Sequence, residues 1–165
     1  MHTGLEQLTQ EAAQLASASA DIVIGLHYAR QGKDPPQMVL EGVKRGAMFI
    51  DHALRGGAPF STRGASYGAF PGTLEPLYLA SDVYLDVSPS APREESHFFS
   101  YLERLRRTLL DLQHPPVQFE GKELEFDQAA RFFKALGDLY RTRATALSRG
   151  ERARDYYLPP ELDIA

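Results

Sequence analysis

TGLEQLTQEAAQLASASADIVIGLHYARQ, residues 3–31, decides the fold. Leu5, Leu8, Ala12, Leu15, Ser19, Ile22, Leu26 and Ala29 alternate spacings of three and four without a break. Apolar residues at that spacing form one continuous face of a helix. Thr3 is the expected N-cap, and Glu6 three residues on completes a capping box. Off the seam the first half is polar, with Glu6, Gln7, Gln10, Glu11 and Gln14. From Ala18 to Ala29 the helix is apolar nearly all round and rich in Ala, Ser and Gly. A helix of that kind belongs at the centre of a structure, and its small residues let neighbours approach closely. Gly32 fits the position after the helix end, with Pro35 and Pro36 beyond it.

Asp34 and Pro35 are expected to cap and begin a second helix with the stripe Val39, Val43, Ala47, Ile50 and Leu54. Glu41 with Arg45, and Asp51 with Arg55, stand four apart in the favourable order. The connection is short, so the first two helices should pack as an antiparallel hairpin. Residues 56–72, GGAPFSTRGASYGAFPG, hold five Gly and two Pro in 17 residues and show no apolar period. A long loop of this kind is often functional. Its Phe60, Arg63, Tyr67 and Phe70, with Arg55 before it, form a candidate ligand or partner surface.

Residues 73–87 fit a helix through Leu74, Leu77, Ser81 and Tyr84. The alternation of Val83, Leu85 and Val87 also suits a strand; the helix is the expectation, because no long partner strand lies nearby. Residues 93–113 give a further strong helix with the stripe Phe98, Leu102, Leu105, Leu109 and Leu112, stopped by His114-Pro115-Pro116. In 117–126 Val117 and Phe119 alternate on one arm and Leu124 and Phe126 on the other, with Gly121 between, which suits a small β-hairpin. Asp127 should then cap the last helix, to about Ser148, on the stripe Ala130, Phe133, Leu136, Tyr140, Ala144 and Leu147. The fold expected is all-α: a bundle of four long helices plus a short extra one. It spans 1–155 as one domain and carries an extended acidic tail at 156–165.

Composition narrows the function classes. The chain of 165 residues has no Cys, so disulfides, thiolate metal sites and Cys nucleophiles are excluded. At 43% hydrophobic and 24% charged it suits a soluble protein. No apolar run reaches the length of a membrane span. Residues 1–14 contain no Lys, Arg or apolar block, so no secretory signal is expected and the protein is expected in the cytoplasm. The net charge of −4 gives no overall attraction to nucleic acid.

The motifs that could carry chemistry are weak. Glu94 and His97 have the Glu-x-x-His spacing of di-iron bundles. The second such pair, Asp111 and His114, lies at the far end of the same helix, about 25 Å away. No metal site and no cofactor are expected. Arg45 with His52, and Arg107 with His114, lie seven apart and resemble the Arg–His motif of helical-bundle ribonucleases of the HEPN class. A motif that short arises by chance in a chain with many Arg, and His52 more simply reads as a partly buried residue beside Asp51. There is no Gly-x-Ser-x-Gly, P-loop or dinucleotide fingerprint.

Charge patterning says more. Residues 1–29 carry Glu6, Glu11 and Asp21 with no Lys or Arg, whereas 131–154 are strongly basic. The simplest account is a solvated face that complements the first helix and its own C-terminal dipole. The functional account makes Arg141, Arg143, Arg149, Arg152 and Arg154 phosphate or nucleic-acid ligands. The leading expectation is therefore a non-enzymatic helical bundle that acts by association, as a homodimer or with a protein partner. A nucleic-acid accessory role through the C-terminal arginines is the alternative. A hydrolase, nuclease or metal-dependent enzyme built on His52 or His97 is the second alternative.

Overall fold

The computed structural model describes residues 3–56, 75–87, 90, 94–113 and 121–148. They form five helices: α1 Thr3–Arg30, α2 Gln37–Gly56, α3 Glu75–Val87, α4 Glu95–Gln113 and α5 Glu123–Ser148. The architecture is the all-α bundle expected, with four long helices and the shorter α3.

The α1 seam makes the core. Ala12, Leu15, Ile22, Leu26 and Ala29 are buried, and Ile22 is fully enclosed. At the end of α1 the Lys33 amide donates to the Tyr28 carbonyl and the Gly32 amide to that of Ala29, both at 3.0 Å. Gly32 takes φ +67°. This is a Schellman ending, in which the left-handed residue lets the last amides turn back onto the carbonyls that the helix leaves open. The α2 helix starts later than Asp34-Pro35 implies. Pro36 bars Pro35 from helical backbone. The first turn instead forms on the Pro36 carbonyl, which accepts from Val39 at 3.0 Å and Leu40 at 3.2 Å.

Neighbouring contacts fix the directions. Gly25 lies against Val39 and Asp21 against Gly42, so α2 returns antiparallel to α1. Leu109 meets Gly46 while Arg106 pairs with Asp51, so α4 opposes α2. Arg104 reaches Gln128, and Asp111 pairs with Lys122, so α5 opposes α4. The four long helices therefore alternate up and down, and α1 lies between α2 and α5. α1 and α5 approach closely: a Cβ on Gly137 would sit 3.1 Å from the Ala16 amide nitrogen and 3.3 Å from the Ala12 carbonyl oxygen. The small residues of α1 permit this backbone contact, as its composition implies.

α3 is a helix, as expected. Val83, Tyr84 and Leu85 are all buried in succession, which a strand with alternating faces would not give. Tyr84 packs on Phe98 and Tyr101, with ring centroids 5.5 and 4.9 Å away. Beyond the stripe expected of α4, Tyr101 and Thr108 are also buried. The Thr108 hydroxyl donates to the Arg104 carbonyl at 2.9 Å, the usual way a helix accommodates a buried Thr.

The second arm of the proposed hairpin is a correction. Residues 123–126 are the first turn of α5, where Phe126 donates its amide to Lys122 at 3.1 Å. Phe126 is buried at 1% exposure, while Leu124 is 65% exposed. On a strand these two would share a face; on a helix they diverge. Gly121, at φ +79°, makes the entry turn, and Glu123 and Glu125 favour the helix N-terminus electrostatically. The first arm, 117–120, and the boundary at 155 lie outside the described residues.

Candidate functional site

The antiparallel α1–α2 pair leaves a cleft of about 330 Å³ on its outer side. From α1 it is lined by Glu11, Gln14, Leu15 and Ala18, and from α2 by Arg45, Gly46, Met48, Phe49 and His52. Leu15 and Ala18 are buried, Phe49 is half-buried and Met48 is 59% exposed at the mouth. Phe49 is held edge-on against the fully buried Phe133, with ring centroids 6.3 Å apart. The floor is thus apolar and anchored in the core. The polar groups stand at the ends, Arg45 at one and Glu11 with His52 at the other.

Arg45 and His52 are both exposed. Among the described residues no carboxylate pairs with Arg45 within 4.0 Å, so the Glu41–Arg45 pair expected from spacing does not form. Asp51 likewise turns away from Arg55 to the side chain of Arg106 on α4. A cross-helix partner on the inner flank replaces the one along the helix. His52 is therefore an exposed residue on the cleft side, not a partly buried one beside Asp51. The Arg45–His52 motif does share one cleft, yet the lining offers no Ser, Thr, Tyr or Cys nucleophile.

Just beyond the Arg45 end lies Asp21. Its carboxylate sits where a Cβ of residue 42 would be, so only Gly at 42 admits it. Burial pushes its pKa up from the ordinary 3.8, opposed by the Ser17 hydroxyl at 3.4 Å and by the charge of Arg45. The folded protein therefore bears the cost of a partly desolvated charge at neutral pH, and that cost fades as pH falls through the raised pKa. Asp21→Asn is accordingly expected to raise the melting temperature at pH 7. The gain should close as the pH approaches 3.8, where the native Asp also becomes neutral. Melting curves of both proteins across that range check it, and a gain that persists at pH 3 would contradict the assignment.

Two other clusters lie outside the cleft lining. Tyr101 stacks under Arg104, whose guanidinium lies 5.4 Å from the ring centre. Burial nonetheless pushes the Tyr101 hydroxyl up to about 12, too high to exchange a proton near neutrality. His97 and Glu94 stand 3.6 Å apart at the exposed start of α4. Among the described residues no three His, Asp or Glu side chains gather as a metal ion would require. No described helix is long and apolar enough to cross a membrane.

Of the residues singled out from sequence, Arg55 lies exposed in the last turn of α2. Phe60, Arg63, Tyr67 and Phe70 lie outside the described residues. Arg141 is exposed and bonded to Asp138 at 3.1 Å, and Arg143 lies within α5. Arg149, Arg152 and Arg154 are again outside the described residues. The structure does not bring Arg55 and Arg141 into the cleft. Sequence reasoning missed Glu11, Met48 and Phe49 as a group; the only available signal was Met48 standing off the apolar stripe of α2. In comparison with known proteins, no family model, no curated protein and no solved structure matches the chain.

Proposed function

We propose that the protein works by association, pairing with a second copy through the outer face of α1. The observation that carries this is the character of that face. Its exposed positions from 13 to 24 are Ala13, Gln14, Ser17, Ala20, Val23 and Ile24, with no ionised group among them. Val23 is 55% and Ile24 41% exposed. An exposed aliphatic pair on an uncharged helical face is a surface that gains from being covered.

The face is also self-complementary. Its small residues lie toward one end and its large ones toward the other. An antiparallel copy related by a two-fold axis would set Ile24 of each chain over Ala13 of the other, and Ala20 over Ser17. A two-fold interface requires this kind of match of a patch to itself. The face presents no charge with which to select an acidic or basic partner, which favours a second copy over a charged ligand.

Sedimentation at micromolar concentration should give twice the 18.4 kDa of the chain. Ile24→Glu should give a folded monomer with a cooperative melt, its melting temperature lower only by the concentration-dependent contribution of the lost dimer. A monomeric native protein at tens of micromolar would overturn the proposal.

A further inference from the structure

We propose that the α1–α2 cleft binds a small aromatic carboxylate carrying a hydrogen-bond donor at its far end. The cleft volume, about 330 Å³, lies at the lower end of the range of small-molecule sites. Its length along α2 is set by Arg45 and His52, seven residues and so about 10 Å apart. That is the length of two fused six-membered rings with a polar substituent at each end.

The chemistry follows from what lines each part. Leu15 and Phe49 give an apolar floor, and the ring of Phe49 is fixed from behind by Phe133. A flat aromatic body suits such a floor, since offset or edge contacts between rings add to simple burial. At one end Arg45 offers an exposed guanidinium with no described carboxylate within 4.0 Å. The charge of Asp21 reaches it at longer range. A ligand carboxylate can take the planar fork of Arg45 with two parallel bonds. At the other end a ring nitrogen of the exposed His52 is an acceptor, so the matching ligand group is a hydroxyl or amine. Met48, flexible and exposed at the mouth, can fold over the rings.

The probe is a hydroxynaphthoate with its two substituents at opposite ends of the fused rings, titrated by its own fluorescence. Saturable binding of one molecule per chain is expected. Naphthol, which lacks the carboxylate, should bind about tenfold or more weakly, and Arg45→Ala should weaken the hydroxynaphthoate by a similar factor. Arg45 is exposed, so the variant should keep a cooperative melt, lowered only slightly by loss of the charge that favours ionised Asp21. Met48→Trp, which fills the mouth, should also reduce binding. Ile24→Glu should leave binding intact, which separates this site from the association surface. Unsaturable binding overturns the proposal, as does equal affinity for naphthol. Full affinity in Arg45→Ala, or loss of binding in Ile24→Glu, overturns it too.

Discussion

Replacing Leu26 by Asp is expected to leave most of the chain unfolded. Leu26 is 6% exposed and belongs to the continuous core of buried side chains. The substitution removes a buried aliphatic side chain, which alone costs about 2–5 kcal/mol. It also places a carboxylate where nothing pairs with it, which costs several kcal/mol more or forces the group to stay protonated. A domain's whole stability is about 5–15 kcal/mol, so the sum removes most of it. Thermal and denaturant melts followed by circular dichroism should show no cooperative transition, or one displaced far downward. The contrast with Ile24→Glu makes the test specific. The two positions are two residues apart on one helix, yet one faces the core and the other water. A soluble Leu26→Asp variant with native melting would mean that the second half of α1 is peripheral.

That contrast also shows where the sequence was legible. The seam through Ala12, Leu15, Ile22 and Leu26 has a strict helical period, and a period that long has one structural solution. The apolar character of residues 18–29 was a weaker guide. It pointed to a helix at the centre of the structure, surrounded on every side. In the bundle α2 and α5 flank α1 and take the seam, and the exposed aliphatic remainder is Val23 and Ile24. The segment 123–126 misled because Leu124 and Phe126 alternate with Glu over a length too short to separate a period of 2 from one of 3.6. Burial of Phe126 against exposure of Leu124 decides for the helix.

The cleft was less legible, and for a physical reason. It depends on how two helices diverge outside the core, and neither helix encodes that alone. Arg45 and His52 could be paired by spacing on α2, but Glu11 joins them only because α1 runs antiparallel. Charge spacing failed in the same way. Asp51 and Arg55 satisfy the rule for one helix, yet Arg106 on α4 takes Asp51. Pairs along a helix contribute only about 0.2–0.5 kcal/mol, so a partner from a neighbouring helix readily displaces them.

Phe133→Ala is expected to destabilise the protein by about 3–5 kcal/mol, the range for emptying a buried aromatic site. In a domain of this length that lowers the melting temperature by roughly 10 °C or more. Phe133 has no exposed surface and sits between two rings, Phe132 at 5.4 Å and Phe49 at 6.3 Å. The opposite wall is Gly46, where an added Cβ would lie 3.3 Å from the Phe133 ring. The absence of a side chain at 46 thus admits the ring at 133, and the two positions are coupled. In the native protein Gly46→Ala crowds that ring, offsetting the roughly 1 kcal/mol that Ala gains over Gly inside a helix. In Phe133→Ala the crowding is gone, so the same change should recover that gain and fill part of the void. A double-mutant cycle by denaturant unfolding should therefore show a favourable interaction of about 0.5–3 kcal/mol between the two substitutions. Strict additivity would mean that α2 and α5 do not meet at this point, and the floor beneath Phe49 would lose its support.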